Sequence, residues 1–167
     1  MDFKIRDKVT EERPMDRNLE ILDNIYNKPE SFLSRVSQEL KRAQRYLCFI
    51  SYLNIDAQRL GTSEEDKVQT PNMELLDKLR LHIRKSIRQT DVLSGFNNGR
   101  ISVLLVETNK DGAVLVKNRL NDSIKYFLRE VVESPLNWKV VIHAGSFPDD
   151  EHTPNSFYDK ISSTLTK

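Results

Sequence analysis

The chain has 167 residues, 26 of them basic and 25 acidic, for a formal net charge of +1. That length suits one domain with a core of its own, and the even charge balance excludes a nucleic-acid footprint spread over the whole surface. Cys48, the single cysteine, lies in an apolar run and reads as a small core residue, so an intrachain disulfide is excluded and a reducing compartment is expected.

The first residues, MDFKIRDKVTEERPMD, hold no apolar stretch of the kind a signal peptide needs. No run approaches the roughly 18 apolar residues of a membrane span. The expected location is cytoplasmic. No internal repeat or low-complexity tract interrupts the chain.

Residues 1–13 are strongly charged. From Pro14 the spacing of Leu19, Leu22, Ile25 and Tyr26 predicts a helix. Asn27-Lys28-Pro29 breaks it, and Pro29 opens a second helix with Phe32, Leu33, Val36, Leu40 and Ala43 as its buried stripe. Tyr46 to Ile55 is almost wholly apolar and reads as a core strand; it runs into Asn54-Ile55-Asp56. Asp56 reads as a loop or cap residue. Ala57 to Gln69, with Gly61, Ser63 and Glu64-Glu65, is a polar loop. Thr70-Pro71 then supplies a helix cap and first turn. The helix they open reaches about Arg88, with an apolar stripe at Leu76, Leu79, Ile83 and Ile87. Arg80, Arg84 and Arg88 follow at i+4 steps and make a basic ridge. Such a ridge is either a solvated face or an electropositive approach to an anion.

A hairpin follows. Asp91 to Phe96 is extended, Asn97-Asn98-Gly99 has the residues that accept positive φ, and Arg100 to Val106 is apolar enough to be buried on both faces. Thr108 or Asn109 caps a helix over about 110–133, with Ala113, Val116, Leu120, Ile124, Phe127, Leu128 and Val131 on one side and Ser134-Pro135 at its end. Trp138 to Ala144 is a further strand, Phe147 to Pro154 a loop, and Asn155 to Lys167 a short terminal helix. No glycine-rich phosphate loop, His/Cys metal spacing or nucleophile motif is legible. His143 has no paired carboxylate at a catalytic spacing and reads as a packed or surface residue.

The hairpin resembles the signature hairpin of GGDEF domains, the bacterial diguanylate cyclases. Arg88-Gln89-Thr90-Asp91 supplies the RxxD element of that family, and Val92 to Phe96 is the five-residue spacer. The signature itself falls on Asn97-Asn98-Gly99-Arg100-Ile101, which matches none of its five letters. The run YNKPESFLSRVSQELKRAQRY is similar to the first helix of such domains, down to Arg42-Ala43-Gln44-Arg45. His143-Ala144-Gly145 resembles the Ser-x-Gly that closes their late strand, whereas only Phe157, Tyr158 and Ile161 resemble their terminal helix. The resemblance covers about residues 26–160. It implies an α/β (α+β) fold of the nucleotide-cyclase type: a mostly antiparallel central sheet flanked by helices, with an extra N-terminal helix. Residues 1–28 would be a charged segment and lead-in helix, and 29–167 a degenerate GGDEF-like domain.

What the resemblance implies for chemistry is a loss. A nucleotidyl cyclase needs carboxylates to hold the metals that neutralise a triphosphate and activate a hydroxyl. The aligned metal-ligand positions are Asn54 and Gly99, neither anionic. Arg100 replaces the neighbouring acid, Asn97 and Asn98 replace the two glycines, and Met73 stands where a carboxylate would read guanine. No metal and no cofactor are expected, and cyclase activity is expected to be absent. What remains is Arg88 and Asp91, which in the family bind cyclic di-GMP at an inhibitory site. An arginine fork meets phosphate or a guanine edge, and a carboxylate accepts from guanine donors. Arg80 and Arg84 would support that site as a basic ridge. The expected function is a catalytically inactive bacterial signalling domain that binds cyclic di-GMP or a protein partner, or pairs with itself through its N-terminal helices. The alternatives are a purely structural or dimerising domain without a nucleotide ligand, and a residual nucleotide-binding cyclase.

Overall fold

The computed structural model describes residues 14–59, 73–132, 137–149 and 151–166. Its elements are α1 (Pro14–Ile25), α2 (Pro29–Tyr46), β1 (Ile50–Arg59), α3 (Met73–Ser86), β2 (Val92–Leu93), β3 (Arg100–Val106), α4 (Lys110–Val131), β4 (Trp138–Phe147) and α5 (Pro154–Thr166). The strands form one sheet in the order β2-β3-β1-β4, and every neighbouring pair is antiparallel. This is the α+β architecture that the apolar pattern and the family resemblance imply.

Both faces of the sheet are covered, which is why β1 and β3 are apolar nearly throughout. On one face Phe32, Val36 and Leu40 of α2 and Phe157, Ile161 and Leu165 of α5 pack on Ile50, Tyr52 and Leu104. On the other, Leu79 and Ile83 of α3 and Leu120, Ile124 and Leu128 of α4 pack on Leu53, Ile55, Ile101 and Val103. Each of these side chains, removed from water, contributes about 1.5–3 kcal/mol. At Gly145 on β4 a Cβ would fall 2.4 Å from the Tyr52 ring, so the ring occupies the space that a side chain would need.

Several boundaries move. The first core strand starts at Ile50 and not at Tyr46. Tyr46 closes α2, and Leu47 leaves it with φ 54 in the left-handed region, 87% exposed. Residues 46–49 are apolar enough to read as strand, yet they form the exit from a helix. At its far end β1 runs on to Arg59, past the expected start of the polar loop. Helix α3 stops at Ser86, short of Arg88, and β4 extends to Phe147. The caps expected at Thr70-Pro71 and the stop at Ser134-Pro135 lie outside the described residues. Asn109 is the residue that caps α4: its side chain accepts from the Gly112 amide at 2.9 Å.

The first arm of the hairpin is shorter than its sequence suggests: regular pairing is confined to Val92–Leu93, with a single bridge between Asn97 and Arg100. Asn98 (φ 49) and Gly99 (φ 77) are both left-handed, the backbone that a two-residue turn of this hand requires. Gly99→Ala is expected to cost about 1 kcal/mol, because a Cβ is strained at positive φ. A thermal melt checks it, and an unchanged midpoint would count against this turn.

Candidate functional site

The hairpin end that the sequence resemblance sets against a cyclase centre is closed by its own side chains. Asn54 is buried; its Oδ1 accepts from the Ser102 hydroxyl at 2.7 Å, and its Nδ2 donates to the Lys160 carbonyl on α5 at 3.2 Å. Across the β1–β3 ladder Asp56 stands opposite Arg100, whose Nε lies 3.4 Å from Asp56 Oδ2. Gln58 donates to the same carboxylate at 3.2 Å. The Gly99 carbonyl accepts from the Ala57 amide at 2.9 Å, and the Asn97 amide group donates to the Leu165 carbonyl. Arg100 thus neutralises Asp56, and Asn54 and Asn97 tie the hairpin to α5. His143 is an exposed residue of β4 opposite Asn54. Cys48 is partly buried, with its thiol 3.9 Å from the Arg42 carbonyl.

Arg88 and Asp91 lie in the turn between α3 and β2. The Asp91 side chain is only 2% exposed. It accepts from the Arg88 amide at 3.0 Å and the Val106 amide at 3.3 Å, and it pairs with the Arg88 guanidinium at 3.3 Å. Arg88 is 55% exposed. Its Nη2 also donates to the Val106 carbonyl at 2.8 Å and to Thr108 Oγ1 at 2.6 Å. The turn is therefore a buried carboxylate that fixes a half-exposed guanidinium in place.

Arg88 sits between two clefts. One, of about 420 Å³, is walled by α1, α2 and the turn, and brings Tyr26, Arg35 and Arg42 near Arg88. The other, of about 460 Å³, lies against the start of α4 and brings in Phe49, Leu115 and Arg119. Arg119 donates to the Ser86 carbonyl at 2.8 Å and is exposed enough to reach a ligand. Neither Phe49 nor Arg119 stands out in the sequence, because the second cleft forms only when β1, α4 and the turn meet.

The basic ridge is not a solvated face. Arg80 donates to the Ser94 carbonyl at 2.9 Å and to the Asp23 carbonyl at 2.8 Å. Arg84 is buried and lies 3.3 Å from the Asp23 carboxylate of α1. It also donates to the Asp91 carbonyl at 3.0 Å and to the Arg88 carbonyl. Two of the three ridge arginines thus hold the turn and α1 from beneath, and Arg88 alone reaches the clefts. Burial lowers the Arg80 pKa, partly offset by Asp23.

Burial raises the Asp23 pKa above its ordinary 3.8, against the pull of Arg84 and Arg80. A carboxyl raised in the folded state contributes stability that is fully present below about pH 3.8 and is lost as pH rises through the folded value. Asp23→Asn is expected to flatten the stability profile across that window. Denaturant unfolding at a series of pH values measures it, and an equal slope in both proteins would contradict the assignment.

The described residues hold one group of three metal-capable side chains, Asp149, Glu151 and His152, at the Ile50 end of the sheet. Asp149 Oδ1 already accepts from the amides of Glu151 (2.7 Å) and His152 (2.9 Å) and lies 3.2 Å from His152 Nδ1. Burial opposes its ionisation, but these bonds outweigh burial and lower its pKa. The group closes the turn into α5.

No protein-family model matches the sequence, and no curated protein matches it. Solved structures do match. A diguanylate cyclase protein from Thermotoga maritima superposes with a TM-score of 0.59 at 13% identity, covering 86% of this chain and 98% of that one. The GGDEF domain of YfiN from Pseudomonas aeruginosa gives 0.60 at 19% identity, with 85% and 84% covered. The active GGEEF domain of a diguanylate cyclase from Vibrio cholerae gives 0.61 at 15% identity, with 84% and 88% covered. No helix among the described residues is long and apolar enough to cross a membrane. At these identities the likeness is one of backbone architecture: the chain has the fold of GGDEF diguanylate cyclase domains, filled by a divergent sequence.

Proposed function

We propose that this chain is a catalytically inactive GGDEF-like signalling domain that binds cyclic di-GMP through Arg88 and Asp91. The observation that carries the reading is the turn itself: a half-exposed guanidinium, held by a buried carboxylate, between two clefts. A cyclic dinucleotide offers two phosphates and two guanine edges. Arg88 suits either, and Arg119 adds a second cation in the same groove. Asp91 acts chiefly by aiming Arg88, since its oxygens already accept from amides.

Inactivity is supported by the hairpin. Asn54 and Gly99 offer no carboxylate where metals would need one, and Arg100 sits on Asp56. No metal is required by these residues. Residues 1–28 serve as the lead-in segment to the domain at 29–167. Calorimetric titration with cyclic di-GMP, with GTP plus magnesium as control, tests both parts. Saturable binding with no turnover is the expected result. Magnesium-dependent consumption of GTP would overturn the inactive reading, and silence with cyclic di-GMP would overturn the receptor.

Contact with a protein partner, or with a second copy through the N-terminal helices, is favoured by one separate observation. Ile21, Leu22 and Ile25 of α1 are all exposed. Sedimentation at rising concentration distinguishes a self-pairing chain from a monomer.

A further inference from the structure

Helix α1 carries the sequence pattern of a packing helix but does not pack like one. Among its described side chains, Arg17 to Ile25, the one that is buried is Asp23. Leu19 is partly covered, whereas Ile21, Leu22 and Ile25 are 57%, 45% and 48% exposed. The helix is therefore fastened mainly by polar contacts. Arg80 donates to the Asp23 carbonyl at 2.8 Å, and Arg84 meets the Asp23 carboxylate at 3.3 Å. A buried ion pair holds an element in one position but adds little net stability, because each charge has lost its water.

Arg84 does more than hold α1. The same guanidinium donates to the Arg88 and Asp91 carbonyls, the two residues of the binding turn. One buried side chain thus bridges α1 and the turn, and Arg80 repeats the link between the Asp23 carbonyl and the Ser94 carbonyl just beyond β2. The cleft of about 420 Å³ lies directly between these parts, with Leu22 and Tyr26 on one wall and Arg88 on another. A ligand in it touches both.

We infer that α1 docking and the order of the Arg88–Asp91 turn are thermodynamically coupled, with Arg84 as the coupler. A turn that is well ordered presents both carbonyls to Arg84, which leaves the guanidinium aimed at Asp23. A loosened turn frees Arg84 and weakens its hold on α1. By linkage the effect runs both ways: a ligand that fixes the turn tightens α1, and losing α1 weakens the ligand. The ligand arm rests on the cyclic di-GMP reading of the turn; the coupling itself does not.

Hydrogen exchange of the full chain tests this, with Arg17 to Ile25 as the reporter and α4 amides as the reference for global opening. In Asp91→Ala, exchange in α1 is expected to quicken about tenfold relative to α4, a typical size for such coupling. Asp91 makes no bond to α1, so this is not a lost contact. Asp91→Asn, a milder change, is expected to give a smaller shift of the same sign should the alanine variant fold poorly. In the wild type, saturating cyclic di-GMP is expected to slow α1 exchange by a similar factor. Unchanged α1 exchange in both variants overturns the coupling, as does wild-type α1 exchanging at the rate of unstructured chain. If cyclic di-GMP does not bind at all, the receptor reading falls, and the two variants alone decide the coupling.

Discussion

Asp91→Ala is expected to lower the unfolding free energy by about 3 kcal/mol, a fall of roughly 6–12 °C in melting temperature for a chain of this size. The side chain is 2% exposed and accepts from two backbone amides, those of Arg88 and Val106, besides the Arg88 guanidinium. Removing it leaves the Val106 amide buried without its acceptor and the Arg88 amide without a partner at the end of α3. An unsatisfied buried donor costs more than the bond it formed was worth. The ion pair contributes little to the total, because Arg88 is half in water. Asp91→Asn keeps an acceptor oxygen, and about half the loss is expected. Calorimetric melts measure both. A shift under 2 °C for the alanine variant would mean that the carboxylate does not carry this turn.

Arg88→Ala is expected to behave in the opposite way. Its effect on stability is expected to be about 1 kcal/mol: it loses bonds from a half-exposed side chain to the Val106 carbonyl, Thr108 and Asp91, while the Asp91 carboxylate keeps its two amide donors. On the receptor reading its effect on cyclic di-GMP affinity is expected to be about 100-fold, equivalent to about 2.8 kcal/mol. The guanidinium is the donor that points into both clefts, and neither Arg35 nor Arg119 can take its place on the far side of the turn. Arg88→Lys keeps the charge without the fork, so a loss of about tenfold is expected. Equal affinity in the wild type and Arg88→Ala would remove this turn from the binding site.

Much of the fold could be read from local chemistry. Asn97-Asn98-Gly99 announces its turn because few residues accept positive φ, and the Asn98 and Gly99 backbone is what that composition asks for. The stripes of α2 and α3 follow helical spacing and face the sheet, and that of α4 does so as far as Leu128, whereas Val131 at its end is exposed. Two of the errors share one cause, a partner distant in sequence, and a third is local. Leu22 and Ile25 share a helical face with Leu19, yet they stay exposed while Asp23 is buried, because Arg84 waits 61 residues away. Arg80 and Arg84 look like a surface ridge until α1 and the 88–91 turn close over them. Tyr46 to Phe49 is apolar without being strand, since a left-handed Leu47 ends the helix there. The proposed site divides likewise: Arg88 and Asp91 are singled out by their spacing and their place before the hairpin, whereas Arg119 and Phe49 come beside Arg88 only through tertiary approach.

The proposed absence of cyclase chemistry has a physical form that letter-by-letter comparison leaves out. Asn54 and Asn97 are not merely poor ligands; each is committed to a bond with α5. Arg100 is not merely a missing acid; it sits across from Asp56 in register and neutralises it. The hairpin has become a structural joint, while the turn before it keeps a guanidinium open to solvent.

Calorimetric titration of the wild-type chain with cyclic di-GMP, repeated on Arg88→Ala, tests the receptor reading most directly. Saturable binding in the wild type, weakened about 100-fold in the variant while its melt stays within a few degrees, is the predicted result. No heat of binding in the wild type, or equal binding by both proteins, would contradict it.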